Sequence, residues 1–141
     1  MNTEYRVWDG EQMYYYGDEG ICLSIGELGS IDGKVFGWSL WLEGYGVIAH
    51  SGDGKSVLMW HIGLLDKNNK AIYEGDVSEQ EETVLGSPYD GVLIGAVNML
   101  EGQWCIVNEK KKEARPVFSE TATNKILGDV FQNPELLEGA E

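Results

Sequence analysis

Glycine supplies 19 of the 141 residues of this chain, about twice the usual share of roughly 7%. The glycines fall for the most part between short apolar runs rather than in one tract. Such spacing marks frequent turns, and frequent turns between short runs rich in Val, Ile, Trp and Tyr specify strands rather than long helices. No window sustains a 3.6-residue apolar period, and no repeat of fixed length is present.

YRVWD, Asp9-Gly10 and EQMYYY read as a first hairpin, because Asp-Gly accepts the positive φ angles of a tight turn. ICLSI, KVFGWSLWL, YGVIAH and SVLMWHI read as further strands, divided by EGYG and SGDGK. In MWHIGLLDKNNKAIYEGDV, Met59 to Val77, a buried strand meets a turn in which Asn68 or Asn69 takes left-handed geometry. AIY then resumes extension and EGD turns the chain again, which makes the run a double bend. SEQEET, with Glu79, Glu81 and Glu82, reads as a solvated edge or insertion, followed by the turn-rich SPYDG. VLIGAVNML and WCIVN, joined by EGQ, read as a central hairpin. EKKKEARP reads as a solvated, flexible loop carrying Lys110, Lys111, Lys112 and Arg115, KILGDVF as a last strand, and QNPELLEGAE as one helical turn with Asn133 as N-cap and Pro134 at the first helical position. The expected architecture is mainly β, a small barrel or sandwich with inserted loops and a short C-terminal helical turn.

Length fits one domain over residues 1–141. Hydrophobic residues make up 43% of the chain, enough for a real core. No run of about 18 apolar residues is present, and the N-terminus lacks the basic-then-apolar order of a signal peptide, so a cytoplasmic protein with no membrane partner is expected. A net charge of −14 disfavours direct DNA binding. Cys22 and Cys105 each lie inside an apolar run and read as buried, reduced and inert.

AHSGDGKS, Ala49 to Ser56, satisfies the permissive form of a phosphate-binding loop, in which Lys55 would reach a phosphate and Ser56 a magnesium ion. Such a loop must open a helix, whereas VLMWHIGLL is a strand, so the context fails. His50, His61 and the two cysteines lack metal-ligand spacing. No G-x-S-x-G is present, and 24 acidic residues make chance carboxylate pairs inevitable. No catalytic group, metal site or cofactor is therefore assigned, and a non-enzymatic protein is expected.

Gly63, Leu64, Asp66, Lys67 and Asn68, followed by Ile72, Tyr73, Glu74, Gly75, Asp76 and Val77, resemble the G-L-x-D-K-N-G-K-x-I-Y-E-G-D-I-V signature of the YopX family. Arg6, Trp8 and Asp9, with Met13 behind them, resemble its opening R-x-W-D…M, and GDVFQNPELL, with Asn133 and Pro134, its closing G-x-x-x-x-N-P-E-L-L. Asn69 stands where the family has Gly, and WHIG replaces an aromatic-Thr-Gly approach. The resemblance spans the chain and implies an SH3-like β-barrel core, a phage or prophage origin and no assigned catalytic residue. The signature residues read as scaffold.

Tyr14, Tyr15 and Tyr16 are consecutive in an expected strand and must alternate between its faces, which makes them a candidate interface. The reading favoured is a small interaction module that binds a protein partner or itself. The alternative is an acidic mimic of nucleic acid that occupies a host DNA- or RNA-binding enzyme.

Overall fold

Alternation of inward apolar and outward polar residues organises the chain into twelve strands and one turn of helix among the described residues. The structure is a computed structural model that describes residues 4–30, 33–84 and 91–138, with backbone alone at 27–30 and 33–36. It divides into two compact units, residues 3–60 and residues 61–141.

In the N-terminal unit, β1 (Tyr5–Trp8) pairs antiparallel with β2 (Met13–Tyr15) and with the start of β6 (Val57–Leu65). The connection between β1 and β2 is set by Asp9, whose Oδ1 accepts the N–H groups of Glu11 and Gln12 at 2.8 and 2.7 Å. A second sheet has the order β3-β4-β5, from β3 (Ile21–Ser30), β4 (Gly33–Leu42) and β5 (Gly46–His50). The inner faces meet in a core of Tyr5, Val7, Leu40 and Ala49, against which Tyr14, Leu23, Trp38, Leu58 and Trp60 pack. Tyr5 meets Trp60 edge-on, with ring centroids 6.4 Å apart.

In the C-terminal unit the rest of β6 pairs with β7 (Ala71–Tyr73). A five-stranded antiparallel sheet follows in the order β11-β10-β9-β8-β12, formed by β8 (Asp76–Glu82), β9 (Val92–Leu100), β10 (Gln103–Asn108), β11 (Glu113–Pro116) and β12 (Ala122–Asp129). Its core is Ile72, Leu93, Val97, Ile106, Val117 and Ile126. Helix α1 (Glu135–Glu138) closes the described chain. The mainly β class and the short C-terminal helical turn agree with the sequence; no helix among the described residues is long and apolar enough to cross a membrane.

Several local expectations change. SEQEE is no solvated insertion but the body of β8, hydrogen-bonded on both sides. Its inward residues, Ser78 and Gln80, are polar yet buried. Gln80 Nε2 donates to the Pro116 carbonyl at 2.8 Å and to Asn124 Oδ1 at 3.1 Å, so the core accepts an amide with its donors satisfied. The basic loop is also shorter than expected. Lys110–Lys112 turn, but Arg115 is buried in β11, donating to Glu113 at 2.9 Å and to the Gly91 carbonyl at 3.0 Å. Cys22 is exposed, because the alternation of β3 turns it outward while Cys105 is buried. Asn133 is not a side-chain N-cap: its Oδ1 accepts the Asp129 N–H at 3.2 Å. Most of SPYDG, residues 87–90, lies outside the described residues.

Candidate functional site

The middle signature residues build two consecutive turns, and each turn is fixed by one aspartate. Asp66 is buried; its Oδ1 accepts N–H bonds from Asn68 and Lys70, both at 2.8 Å, and its Oδ2 accepts the Ile126 N–H of β12 at 2.9 Å. Burial alone would raise its pKa. The N–H groups of Ile126, Lys70 and Asn68, aided by the Lys70 charge, outweigh that and hold the carboxyl below the usual aspartate range. Lys67 donates its N–H to the Asn124 carbonyl at 2.8 Å, so Asp66 and Lys67 together cover the outer edge of β12. Asn69 is the left-handed residue of the turn, with φ of 63°. Gly63 and Leu64 lead into it, and Leu64 packs on the core.

The second turn follows Ile72, which is fully buried, and Tyr73, whose ring lies 5.4 Å from that of His61. Asp76, also buried, accepts the Tyr73 N–H at 2.8 Å. Between them stand Glu74 and Gly75; with φ of 87°, Gly75 takes a conformation open to few other residues. Its N–H donates to Val97 and its carbonyl accepts from Val130, both at 2.9 Å, which ties the turn to β9 and to the closing motif; Val77, next in β8, is fully buried opposite Ala96. In the closing motif Asp129 accepts N–H bonds from Phe131 and Gln132 at 3.0 and 2.8 Å, and Pro134 lies exposed at the start of α1. The opening residues lie in the other unit: Arg6 is buried in β1, Trp8 ends that strand and Asp9 holds the following turn.

All six aspartates among the described residues accept backbone N–H groups: Asp9, Asp18, Asp53, Asp66, Asp76 and Asp129. Asp53 decides the fate of AHSGDGKS. Its carboxylate accepts the N–H groups of His50, Lys55 and Ser56 and the Ser56 hydroxyl. Against the effect of burial, the Ser56 hydroxyl and then those backbone donors hold its pKa well below the usual range. The N–H groups that would cradle a phosphate are thus turned onto the loop's own carboxylate, and Ser56 leads into β6 rather than a helix. Among the described residues no group of three His, Cys, Asp or Glu side chains converges to hold a metal.

Of the three tyrosines, Tyr14 packs on the N-terminal core, whereas Tyr15 and Tyr16 are exposed, with Tyr16 edge-on to Tyr5 at 5.6 Å. A larger aromatic surface lies on the outer side of the β3-β4-β5 sheet. Cys22 stands opposite Trp41, and Trp41 opposite Val47. Trp41 is 45% exposed and Tyr45, in the β4–β5 turn, 78%. They line a groove of about 590 Å³ with Cys22 and Glu43. Trp41 Nε1 donates to Ser39 Oγ at 2.9 Å, which orients the indole on the sheet. The signal for it was the spacing of Trp38 and Trp41, an odd interval that sends two indoles to opposite faces of one strand. A smaller groove of about 220 Å³, beside Asp66 and Lys67, has exposed Leu65 and Phe118 among its lining residues.

A family model described as YopX protein matches residues 4–138. The chain belongs to the YopX family. A YopX relative, the SPbeta prophage-derived uncharacterized protein YopX of Bacillus subtilis (strain 168), is 32% identical over 148 residues that cover 100% of both chains. The crystal structure of protein yopX from Bacillus subtilis superposes with a TM-score of 0.66 at 30% identity, over 96% of this chain and 98% of that one. On the YopX frame, the middle and closing signatures meet through the bond between Gly75 and Val130, while Asp66 reaches Ile126 two residues before the closing motif.

Proposed function

We propose that this chain is a non-enzymatic interaction module of phage or prophage origin that binds a protein partner or a second copy of itself. The observation that carries the reading is the pair Trp41, oriented by Ser39, and Tyr45, large aromatic side chains on solvent beside a groove, since aromatic residues at that degree of exposure are characteristic of contact surfaces. The origin rests on the prophage-derived relative. The signature residues serve as scaffold: their aspartates Asp9, Asp66 and Asp76 accept backbone N–H groups and hold turns. The SH3-like barrel belongs to the same proposal, supported by the meander of β8 to β11, the return of β12 to the free side of β8, and the buried apolar face of that sheet.

An acidic decoy of nucleic acid is supported by the net charge alone. Against it, the described aspartates face their own backbone, and on β8 the outward Glu79 stands opposite Lys125 while Glu82 falls on the other face of the strand. Passing host lysate over the immobilised protein at low and high salt separates the two. A partner retained at both salts, and lost with a Trp41→Ala/Tyr45→Ala variant, is the expected result; a nucleic-acid enzyme released at high salt would favour the decoy. Robust turnover by the purified protein, abolished by one substitution, would overturn both.

A further inference from the structure

An antiparallel sheet must deal with its edges, because an unpaired strand offers a row of N–H and C=O groups to any passing strand. In the C-terminal unit both edges of the five-stranded sheet are guarded. β11 is four residues long and carries Glu113, Arg115 and Pro116. β12 is covered by Asp66 and Lys67. β3, at one end of the order β3-β4-β5, has ten residues, with no Pro, no Lys and no Arg.

The direction of its backbone groups follows from two neighbours. Ile21 donates its N–H to the Asp18 carbonyl, away from β4. Trp38, the partner of Ile25 across the β3–β4 ladder, exchanges hydrogen bonds with Ser51 on the far side of β4. Leu23 and Ile25 therefore turn both backbone groups to the outer edge, and Ile21 its carbonyl, its N–H being held by Asp18, since adjacent pairs of an antiparallel ladder alternate. The side chain of Ile25 is 59% exposed.

We propose that this edge pairs antiparallel with the same edge of a second copy, with the two-fold axis at Leu23. The inference rests on the reading of the chain as an interaction module and names its partner. Two features select a copy over a foreign strand. The stretch Ile21-Cys22-Leu23-Ser24-Ile25 is symmetric in character about Leu23, so that in the antiparallel register Ile21 faces Ile25 of the copy and Cys22 faces Ser24. The strand is also uncharged from Gly20 to Gly26 in a chain of net charge −14, a neutral seam along which two acidic molecules can approach.

Sedimentation equilibrium of the full chain over a concentration series tests the pairing. A dimer of twice the 15.7 kDa chain mass is expected, strengthened by added salt because screening reduces the repulsion. Ile25→Pro removes an outward N–H without touching the β3–β4 ladder and should weaken the dimer at least about tenfold, while Ile25→Val should not. Cys22 and Ser24 form non-hydrogen-bonded pairs between copies, the closer kind, so Ser24→Cys should give a reducible covalent dimer through Cys22 under mild oxidation. That cross-link decides the matter if Ile25→Pro does not fold. A chain that stays monomeric throughout, or a dimer that survives Ile25→Pro and yields no cross-link, overturns the pairing. A monomer that still retains a lysate protein through Trp41 and Tyr45 would sink the pairing alone and leave the wider reading standing.

Discussion

The side-chain oxygen of Asn133 occupies the space that a Cβ on Gly128 would need. The amide is held there by the Asp129 N–H, and Leu136 closes the same space from the helix at 3.0 Å. The glycine and the asparagine of the closing motif are thus two halves of one contact.

Gly128→Ala is expected to destabilise the protein by about 1–3 kcal/mol through overpacking. In a double-mutant cycle with Asn133→Ala the two losses should not add, because the second change removes the atom that the new methyl strikes. Urea denaturation of the four proteins checks this.

Asp66 sets an acid limb. Its pKa is lower in the folded chain than the roughly 3.9 of an unfolded aspartate, so its contribution is fully present above that value and is lost as pH falls through the folded pKa. Asp66→Asn should cost about 2–3 kcal/mol at neutral pH, because an amide cannot accept all three N–H bonds, and should flatten the loss of stability below about pH 4. Thermal melts from pH 2 to 7 read both effects.

Asn69 carries the left-handed conformation of the first signature turn. Asn69→Gly should stay within about 0.5 kcal/mol of the parent chain, while Asn69→Ala should lose about 1 kcal/mol. Equal midpoints for the three proteins in a chemical melt would contradict this account.

The two thiols should differ sharply. Cys22 is exposed, whereas Cys105 is buried and its pKa is pushed up by that burial and by Glu101. One thiol should react promptly with a disulfide reagent in the native protein and the second only on unfolding, with the prompt phase absent in Cys22→Ser.

Strands with one consistent apolar face were legible in the sequence. VLIGAVNML, EGQ and WCIVN became β9, a tight connection and β10, because the turn residues and the apolar runs point the same way. β8 was hidden because Ser78 and Gln80 face inward and Glu79 and Glu81 outward, so neither face looks apolar; only the partners of Gln80, distant in sequence, make it a core strand. Asn133-Pro134-Glu135 has the composition of a helix start, yet the upstream Asp129 N–H takes the asparagine oxygen first. ICLSI reads as one buried run, but strand alternation sets Cys22 and Ser24 apart from Ile21 and Leu23 and leaves Cys22 exposed. In the aromatic surface, Tyr14–Tyr16 stand out in the sequence because they are consecutive, whereas Trp41 and Tyr45 come together on a groove only through the β4–β5 turn.

The bond from Asp66 to Ile126 joins residues 60 apart in sequence. On a ribosome the signature turn emerges well before the strand it guards, and at the usual pace of elongation that interval lasts seconds. Until β12 arrives, Asp66 lacks one of its three donors and the free side of β8 is open to other chains. β12 thus closes the sheet over β8, and nascent or clipped forms that stop short of Ile126 are expected to be the ones exposed to aggregation and proteolysis.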